Sequence, residues 1–498
     1  MARGLISAVI ILACAVFALG VGAAPAFAGN DANVAIGYTN GRLNNATATG
    51  TATGAPLSDW LLQGQRYRAT PLNLQAFGVM SGPPTITYSK ANGLFSATIA
   101  AAGSGYAVND TITLNTTGGA CSTAPIVQVT GVSGGGVTSV SVVRGGICTS
   151  NPTNPLTQAS SSGAGTGAQL TGTFASFAVS SVSNKVNYSP TGSTWRWNTV
   201  GALTNINSSG YYGTSGANGY GGTQASVEFW SDAPQIDLEI LAFNTHFDVI
   251  VDGHLVQATD FATDASGAGY VLTFAWGSSA IHNYRIVGVN LGFGGAIVGS
   301  TYSIWAPNEP RQPVACVLGD SYTFGTNADS VVKSWAWTMG QAAGLEIVAD
   351  GIGGTGWNST AGNLPTTRIT ADLAQRTLTC NLVIFALGFN DSAGSMSTLT
   401  TNATAAIAQA RASFPSAKLL MVGPWTPLGA TANLTTVKTN LQAVASAAGV
   451  PYIDIENWVN ANNKAIYTSG DNTHPTQAGY EFLGGRIGQA VVRALIGS

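Results

Sequence analysis

Residues 314–325 read VACVLGDSYTFG, and the organisation of the whole chain can be worked out from this stretch. Val314 to Leu318 is an unbroken apolar run that stops at Gly319, as expected of a short strand buried on both faces. Four further runs follow the same plan: LEIVAD (345–350), NLVIFALG (381–388), KLLMVG (418–423) and PYIDI (451–455). Helical segments are predicted near 330–343, 399–413, 434–448 and 476–495. Strands that alternate with helices imply βαβ units and a parallel sheet covered on both faces. The fold class expected for residues 309–498 is therefore α/β.

Upstream the texture changes. Residues 176–308 carry strand-like runs such as SVEFW, IDLEILAF, FDVIVDG, YVLTFAW and TYSIWAP, spaced as in an all-β sandwich. FDVIVDGHLV reads as a hairpin turning at Asp252-Gly253, and the proline-marked stretch APNEPRQP (306–313) closes the sandwich. Residues 93–175 form a glycine-rich β insert, in which Val137–Val143 alternates with Val137, Ser139, Ser141 and Val143 on one face. Within it, Gly131-Val132-Ser133-Gly134-Gly135 matches G-x-S-x-G. That motif needs a strand-to-helix turn, and here more glycines and another strand follow, so the match is rejected. Residues 29–92, with the patch WLLQGQRYR at 60–68, carry no clear period and stay unassigned. Residues 1–28 read as a secretory signal peptide: Arg3, an apolar run to Val21, then the small-x-small site Ala26-Phe27-Ala28. Export is expected, with cleavage near Ala28.

Composition narrows the function. Only 8% of the 498 residues are charged, with 19 Lys and Arg against 22 Asp and Glu, whereas a soluble chain usually has about 25%. A chain this poor in basic residues lacks the stripe that binds a phosphate backbone, so no nucleic-acid partner is expected. No later segment is apolar enough to span a bilayer. Of the five cysteines, Cys14 leaves with the leader, and Cys121 and Cys148 are placed for a bridge in an oxidising compartment. Cys316 and Cys380 sit at different distances from their strand ends and are expected as buried thiols. His246 and His254 on the hairpin are expected as strand histidines, and no metal is assigned.

In an open α/β sheet, ligands bind beyond the carboxyl ends of the strands. Four segments deliver reactive groups there. Ser321 follows the first strand, the backbone donors of GIGGT (351–355) follow the second, Asn390 follows the third, and Asp471 and His474 precede the last helix. These are the parts of an acyl-transfer site. A serine hydroxyl needs a base, and His474 is the only histidine of this region. A carboxylate must hold the imidazole in the right tautomer, and Asp471 lies in the same loop. The backbone N–H groups of Ser321 and Gly354, with the Asn390 amide, would stabilise an oxyanion.

The blocks GDSYTFG, GIGGT, GFND and DNTHP stand in the order found in SGNH hydrolases of the GDSL esterase/lipase superfamily, and residues 310–498 resemble that family. The resemblance implies a flavodoxin-like three-layer fold, with Ser321 as nucleophile, Asp471 and His474 as the acid and base, and Gly354 and Asn390 as oxyanion donors. The choice of Gly354 over Gly353 rests on its place before Thr355. Some carbohydrate esterases of this family carry a preceding β-sandwich, which 176–306 resembles. Trp357 and Trp425 are candidates to stack on a sugar or line an acyl pocket, with plain packing the equal alternative. Asp391 is expected to structure its loop, and Asp320 to tether the nucleophile turn. The reading that follows is a secreted, cofactor-independent serine esterase. It is expected to remove O-acetyl groups from a carbohydrate, so that its substrate is a small acyl ester or an acylated polysaccharide, with activity falling as His474 protonates. The alternatives are a lipase or thioesterase on lipid-like esters, and a surface or tail-like binding protein with a subsidiary hydrolase domain.

Overall fold

The computed structural model describes residues 79–496, apart from 177–184, 188–194, 206–211, 215–223, 300, 308–311 and 376–378. The expected leader and the WLLQGQRYR patch lie outside the described residues.

The C-terminal region is built on five parallel strands: β1 (Val314–Gly319), β2 (Glu346–Gly351), β3 (Leu382–Ala386), β4 (Lys418–Val422) and β5 (Tyr452–Ile453). Their order is β2-β1-β3-β4-β5. All six residues of β1 are buried, because its neighbours β2 and β3 flank it and both its faces are covered. Helices α1 (Ser321–Phe324), α2 (Trp335–Ala343), α3 (Pro365–Arg368), α4 (Met396–Ser413), α5 (Ala432–Ala447), α6 (Lys464–Tyr467) and α7 (Gln477–Ile496) complete the region. Leu399, Ala403 and Ile407 of α4 and Val437 and Leu441 of α5 share one core with Cys316, Leu318, Val383, Phe385 and Met421. Helix α2 packs along α7. The order places the topological switch between β1 and β3, so the crevice opens where the loops after these strands diverge.

Two seven-stranded antiparallel sheets precede this region. Phe229, Phe247 and Tyr284 from one sheet meet Leu238, Phe274 and Phe293 from the other, which gives the sandwich an aromatic core. Strand Thr85–Lys90, in the stretch the sequence left unassigned, is an edge strand of this sandwich and pairs with Gly269–Ala275. The hairpin turns at Asp252-Gly253 as expected, with φ of 51° and 84°. The sandwich also covers the edge of the parallel sheet. Gln224 Oε1 accepts from the β2 residue Ala349 N at 2.9 Å, and Asp248 Oδ2 accepts from Val332 N at 2.9 Å. The Arg285 guanidinium lies 5.2 Å above the Trp337 ring and 3.6 Å from Glu346. A covered edge cannot pair with a second chain.

Between strand Thr85–Lys90 and the rest of the sandwich, residues 92–176 form a separate eight-stranded sheet with its own core of Leu94, Ile112, Leu114, Val127, Val129 and Leu170. An Arg144–Asp237 ion pair and the cluster Ala91, Ile147, Val271 and Ile297 join it to the sandwich. The rejected G-x-S-x-G segment is a hairpin turn between Ile126–Ser133 and Gly136–Arg144. The simple alternation expected for 137–143 is broken. Val137 and Val142 are both buried, because register shifts in this hairpin reset the faces.

Cys121 and Cys148 form a disulfide across paired strands. Cys316 and Cys380 are also bonded, which corrects the expectation of two thiols. In line with the strand, Cys380 would lie three residues, roughly 10 Å, from the Val383 that pairs with Cys316. The turn into β3 instead brings its Cα to 5.7 Å from that of Cys316.

Candidate active site

Ser321 begins α1 directly after β1, and two glycines make this tight turn possible. A Cβ on Gly319 would fall 1.9 Å from Thr323 Oγ1, and one on Gly351 would fall 2.2 Å from Phe324 N. The turn therefore packs onto the ends of β1 and β2 at distances only glycine allows. Asp320 caps α1 by accepting from Tyr322 N at 3.0 Å, the tethering role expected of it. Burial pushes the Asp320 carboxyl up to about 7, against the opposing pull of the Tyr322 N–H and of Arg368. The N–H of Ser321 lies in the first turn, where helical donors have no intrahelical acceptor.

His474 reaches this turn from the loop before α7. Its Nε2 lies 2.9 Å from Ser321 Oγ, and its Nδ1 lies 2.7 Å from Asp471 Oδ2. With the Nδ1 proton donated to the carboxylate, Nε2 is left to accept the hydroxyl proton. Asp471 Oδ1 accepts from Ser469 Oγ at 2.6 Å and from the backbone of Thr473 and His474, each at 2.9 Å. Desolvation acts to raise the pKa of Asp471. Hydrogen bonds from Ser469, the His474 ring and the two backbone groups outweigh it and hold the carboxyl well below the usual range.

The loops after β2 and β3 meet beside Ser321. Asn390 is exposed at the end of β3, and its Nδ2 donates to Thr355 O at 2.8 Å. The same nitrogen also donates to Asp320 Oδ2, at 3.5 Å. Gly354 is exposed with φ of 73°, a conformation that suits glycine, and a Cβ on Gly353 would lie 3.8 Å from Ser321 Cβ. Asp391 ties the two loops together, accepting from Trp357 N at 2.9 Å and Asn358 N at 2.8 Å, which is the loop-structuring role expected of it. Burial raises its pKa, against those same two donors.

The two tryptophans are turned inward. Trp357 is fully buried beside Phe385, in the core under α4, and so leaves the set of expected wall residues. Trp425 is 3% exposed, and its Nε1 donates to Thr473 O at 3.3 Å, a carbonyl that also accepts from Tyr322 Oη at 3.1 Å. Trp425 thus supports the His474 loop from below. With Tyr322, Phe389 and Pro424 it lines an apolar cavity of about 30 Å³, room for about one water.

Sequence reasoning missed Arg368. It is completely buried in α3, with Asp350 Oδ1 at 2.9 Å, Gly319 O at 2.9 Å and Thr355 Oγ1 at 3.1 Å. One guanidinium therefore joins the end of β1, the end of β2 and the loop carrying Gly354. The available signal was Asp350, an acidic residue within the apolar run LEIVAD, since a buried carboxylate calls for a counter-charge.

A parallel sheet that gathers these four segments at its carboxyl edge belongs to an SGNH-type ester hydrolase, and the comparisons with known proteins agree. Residues 317–482 match the GDSL-like Lipase/Acylhydrolase family. The chain is 32% identical over 204 residues to the GDSL lipase Rv0518 of Mycobacterium tuberculosis, covering 37% of this chain and 84% of that protein. This chain belongs to the GDSL-like lipase/acylhydrolase family. Among solved structures, it is similar to a family two carbohydrate esterase from Clostridium thermocellum in complex with cellohexaose. That match has 15% identity and a TM-score of 0.48, and covers 60% of this chain and 99% of the other. The salicylyl-acyltransferase SsfX3 from a tetracycline biosynthetic pathway matches at 14% identity and a TM-score of 0.49, covering 63% and 99%.

Proposed function

We propose that this ester hydrolase is exported and removes small acyl groups, acetyl above all, from a carbohydrate through an acyl-enzyme on Ser321. The observation that carries the reading is the relay from Ser321 Oγ to His474 Nε2 at 2.9 Å and from His474 Nδ1 to Asp471 at 2.7 Å. In this mechanism His474 takes the Ser321 proton as the hydroxyl attacks the ester carbonyl. The oxyanion is held by the N–H groups of Ser321 and Gly354 and by the Asn390 amide. The imidazolium then protonates the leaving alcohol, and a water activated by the same base releases the acid. Asp471 keeps its charge throughout and holds the imidazole in place.

The small-acyl assignment is supported by what borders Ser321. Gly353, Gly354 and Asn390 are exposed, while Trp357 and Trp425 face inward, so the site presents polar backbone rather than a hydrocarbon wall. Export is supported by the two disulfides, which persist in oxidising compartments. The proposed domains are a leader at 1–28, an insert at 93–175, a sandwich at 176–308 joined by the strand at 85–90, and a flavodoxin-like three-layer hydrolase at 309–498. The competing lipase reading draws on exposed Leu428 and Ile466, which lie on segments joined near the His474 loop by a Thr468–Pro427 hydrogen bond at 2.5 Å.

Hydrolysis of p-nitrophenyl acetate and octanoate by the chain and by Ser321→Ala tests this reading. Acetate turnover abolished by Ser321→Ala is expected, followed by acetate release from acetylated xylan. Absence of Ser321-dependent turnover on both esters refutes the enzyme reading, and a strong preference for octanoate transfers it to lipid-like esters.

A further inference from the structure

Asp471 is 40% exposed in its side chain, yet its carboxylate must keep one oxygen on the imidazole. Oδ1 is held entirely from within the acid's own loop, by Ser469, Thr473 and His474. Oδ2 receives the His474 ring and one donor from elsewhere in the chain: Asn327 Nδ2, at 3.1 Å. The same nitrogen lies 3.1 Å from Ser469 Oγ. Asn327 stands just past α1, with φ of 69°, so the segment that presents the nucleophile also reaches round to grip the acid.

We propose that Asn327 is a positioning residue for the Asp471–His474 pair, fixing the carboxylate plane so that Oδ2 faces the imidazole Nδ1. The proposal rests on the Ser321–His474–Asp471 reading given above. Two donors share Oδ2, so the amide has two effects. It stops the exposed carboxylate from rotating into solvent, and it draws off part of the negative charge that would otherwise bind the imidazolium. The other titratable groups around the pair are Asp320 behind the nucleophile turn and the phenols of Tyr322 and Tyr480. Tyr322 bonds Thr473 O, and Tyr480 bonds Thr326 O at 2.6 Å. Among the described residues, Asn327 is the one neutral side chain outside the loop that touches the acid.

Two substitutions separate positioning from a plain loop role, because both tolerate the left-handed backbone at this site. Asn327→Gly deletes the amide, and Asn327→Asp replaces it with a negative charge of the same size. Measured by NMR on the His474 ring, the titration midpoint should fall in Asn327→Gly, where the lost alignment of the carboxylate outweighs the charge it regains, and should rise in Asn327→Asp, where a second carboxylate faces the pair. The acid limb of kcat/KM should move with it. At pH 7 kcat should drop about 10-fold in Asn327→Gly with KM nearly unchanged, short of the 10²-fold loss attached to a ~1 Å misplacement. A His474 titration and kcat equal to wild type in both variants overturn the proposal, even if melting temperatures fall. The ring titration needs no turnover, so it stands apart from the Ser321→Ala assay, whose failure would overturn the esterase reading instead.

Discussion

Replacing Arg368 with Met should separate two functions that one side chain performs. The guanidinium is fully buried, pairs with Asp350 at 2.9 Å, and also holds Gly319 O and Thr355 Oγ1. Removing one partner of a buried ion pair strands the other charge and costs about 3–5 kcal/mol. A domain with total stability of about 5–15 kcal/mol survives that loss in destabilised form. Adding Asp350→Asn removes the stranded charge and should recover about half of the loss. The contacts to Gly319 and Thr355 stay missing in the double variant, so the Gly354 loop remains loose beside Ser321. Stability should therefore return in part while kcat stays about 10–100-fold low, the range expected when reacting groups are held less accurately. Urea unfolding supplies the stability. Turnover of p-nitrophenyl acetate, normalised to Ser321 sites titrated with a fluorophosphonate, supplies kcat per folded molecule. Wild-type kcat in either variant would show that Arg368 serves folding alone and would refute its link to the Gly354 loop.

Two further outcomes follow from buried groups elsewhere. Burial raises Asp248 from 3.8 to about 7, opposed by the Val332 N–H, and Asp260 and Lys333 are the charges near it. An acid whose folded value lies above its unfolded value loses stability as pH climbs from about 4 to about 7, with the loss complete above that. That difference bounds the effect on the order of 4 kcal/mol, so Asp248→Asn should gain on wild type between pH 5 and 8 in urea unfolding. Parallel stability curves would contradict this. Reducing Cys316–Cys380, which spans 64 residues, should cost about 4 kcal/mol by chain-entropy scaling. A reactive Cys316 or Cys380 thiol in the denatured, unreduced chain, mapped by alkylation, would disprove the bridge.

The parallel sheet was legible because its central strands are buried on both faces and so appear as apolar runs, as in Val314–Leu318 and Leu382–Phe385. The segments bearing Ser321, Gly354, Asn390 and His474 were legible for a related reason: each follows a strand or precedes a helix, and strand ends converge in an open sheet. Side-chain direction was not. Trp357 and Trp425 sit in loops beside the site, and only tertiary packing shows that they turn inward. Contacts between distant segments were equally hidden. Asn327 and Asp471 are 144 residues apart, and no local period links Cys316 to Cys380 or strand Thr85–Lys90 to Gly269–Ala275.

The eight-stranded unit enters at Asn92 and leaves at Ser176, and these two residues face each other across adjacent strands. Its ends are therefore about 5 Å apart, a gap that a short turn can close. A cassette attached this way can be lengthened or exchanged by editing one place in the gene, provided that its Arg144 and Ile147 contacts with the sandwich are kept. What the hydrolase carries in front of it is thus free to change on a different evolutionary schedule from the chemistry at Ser321.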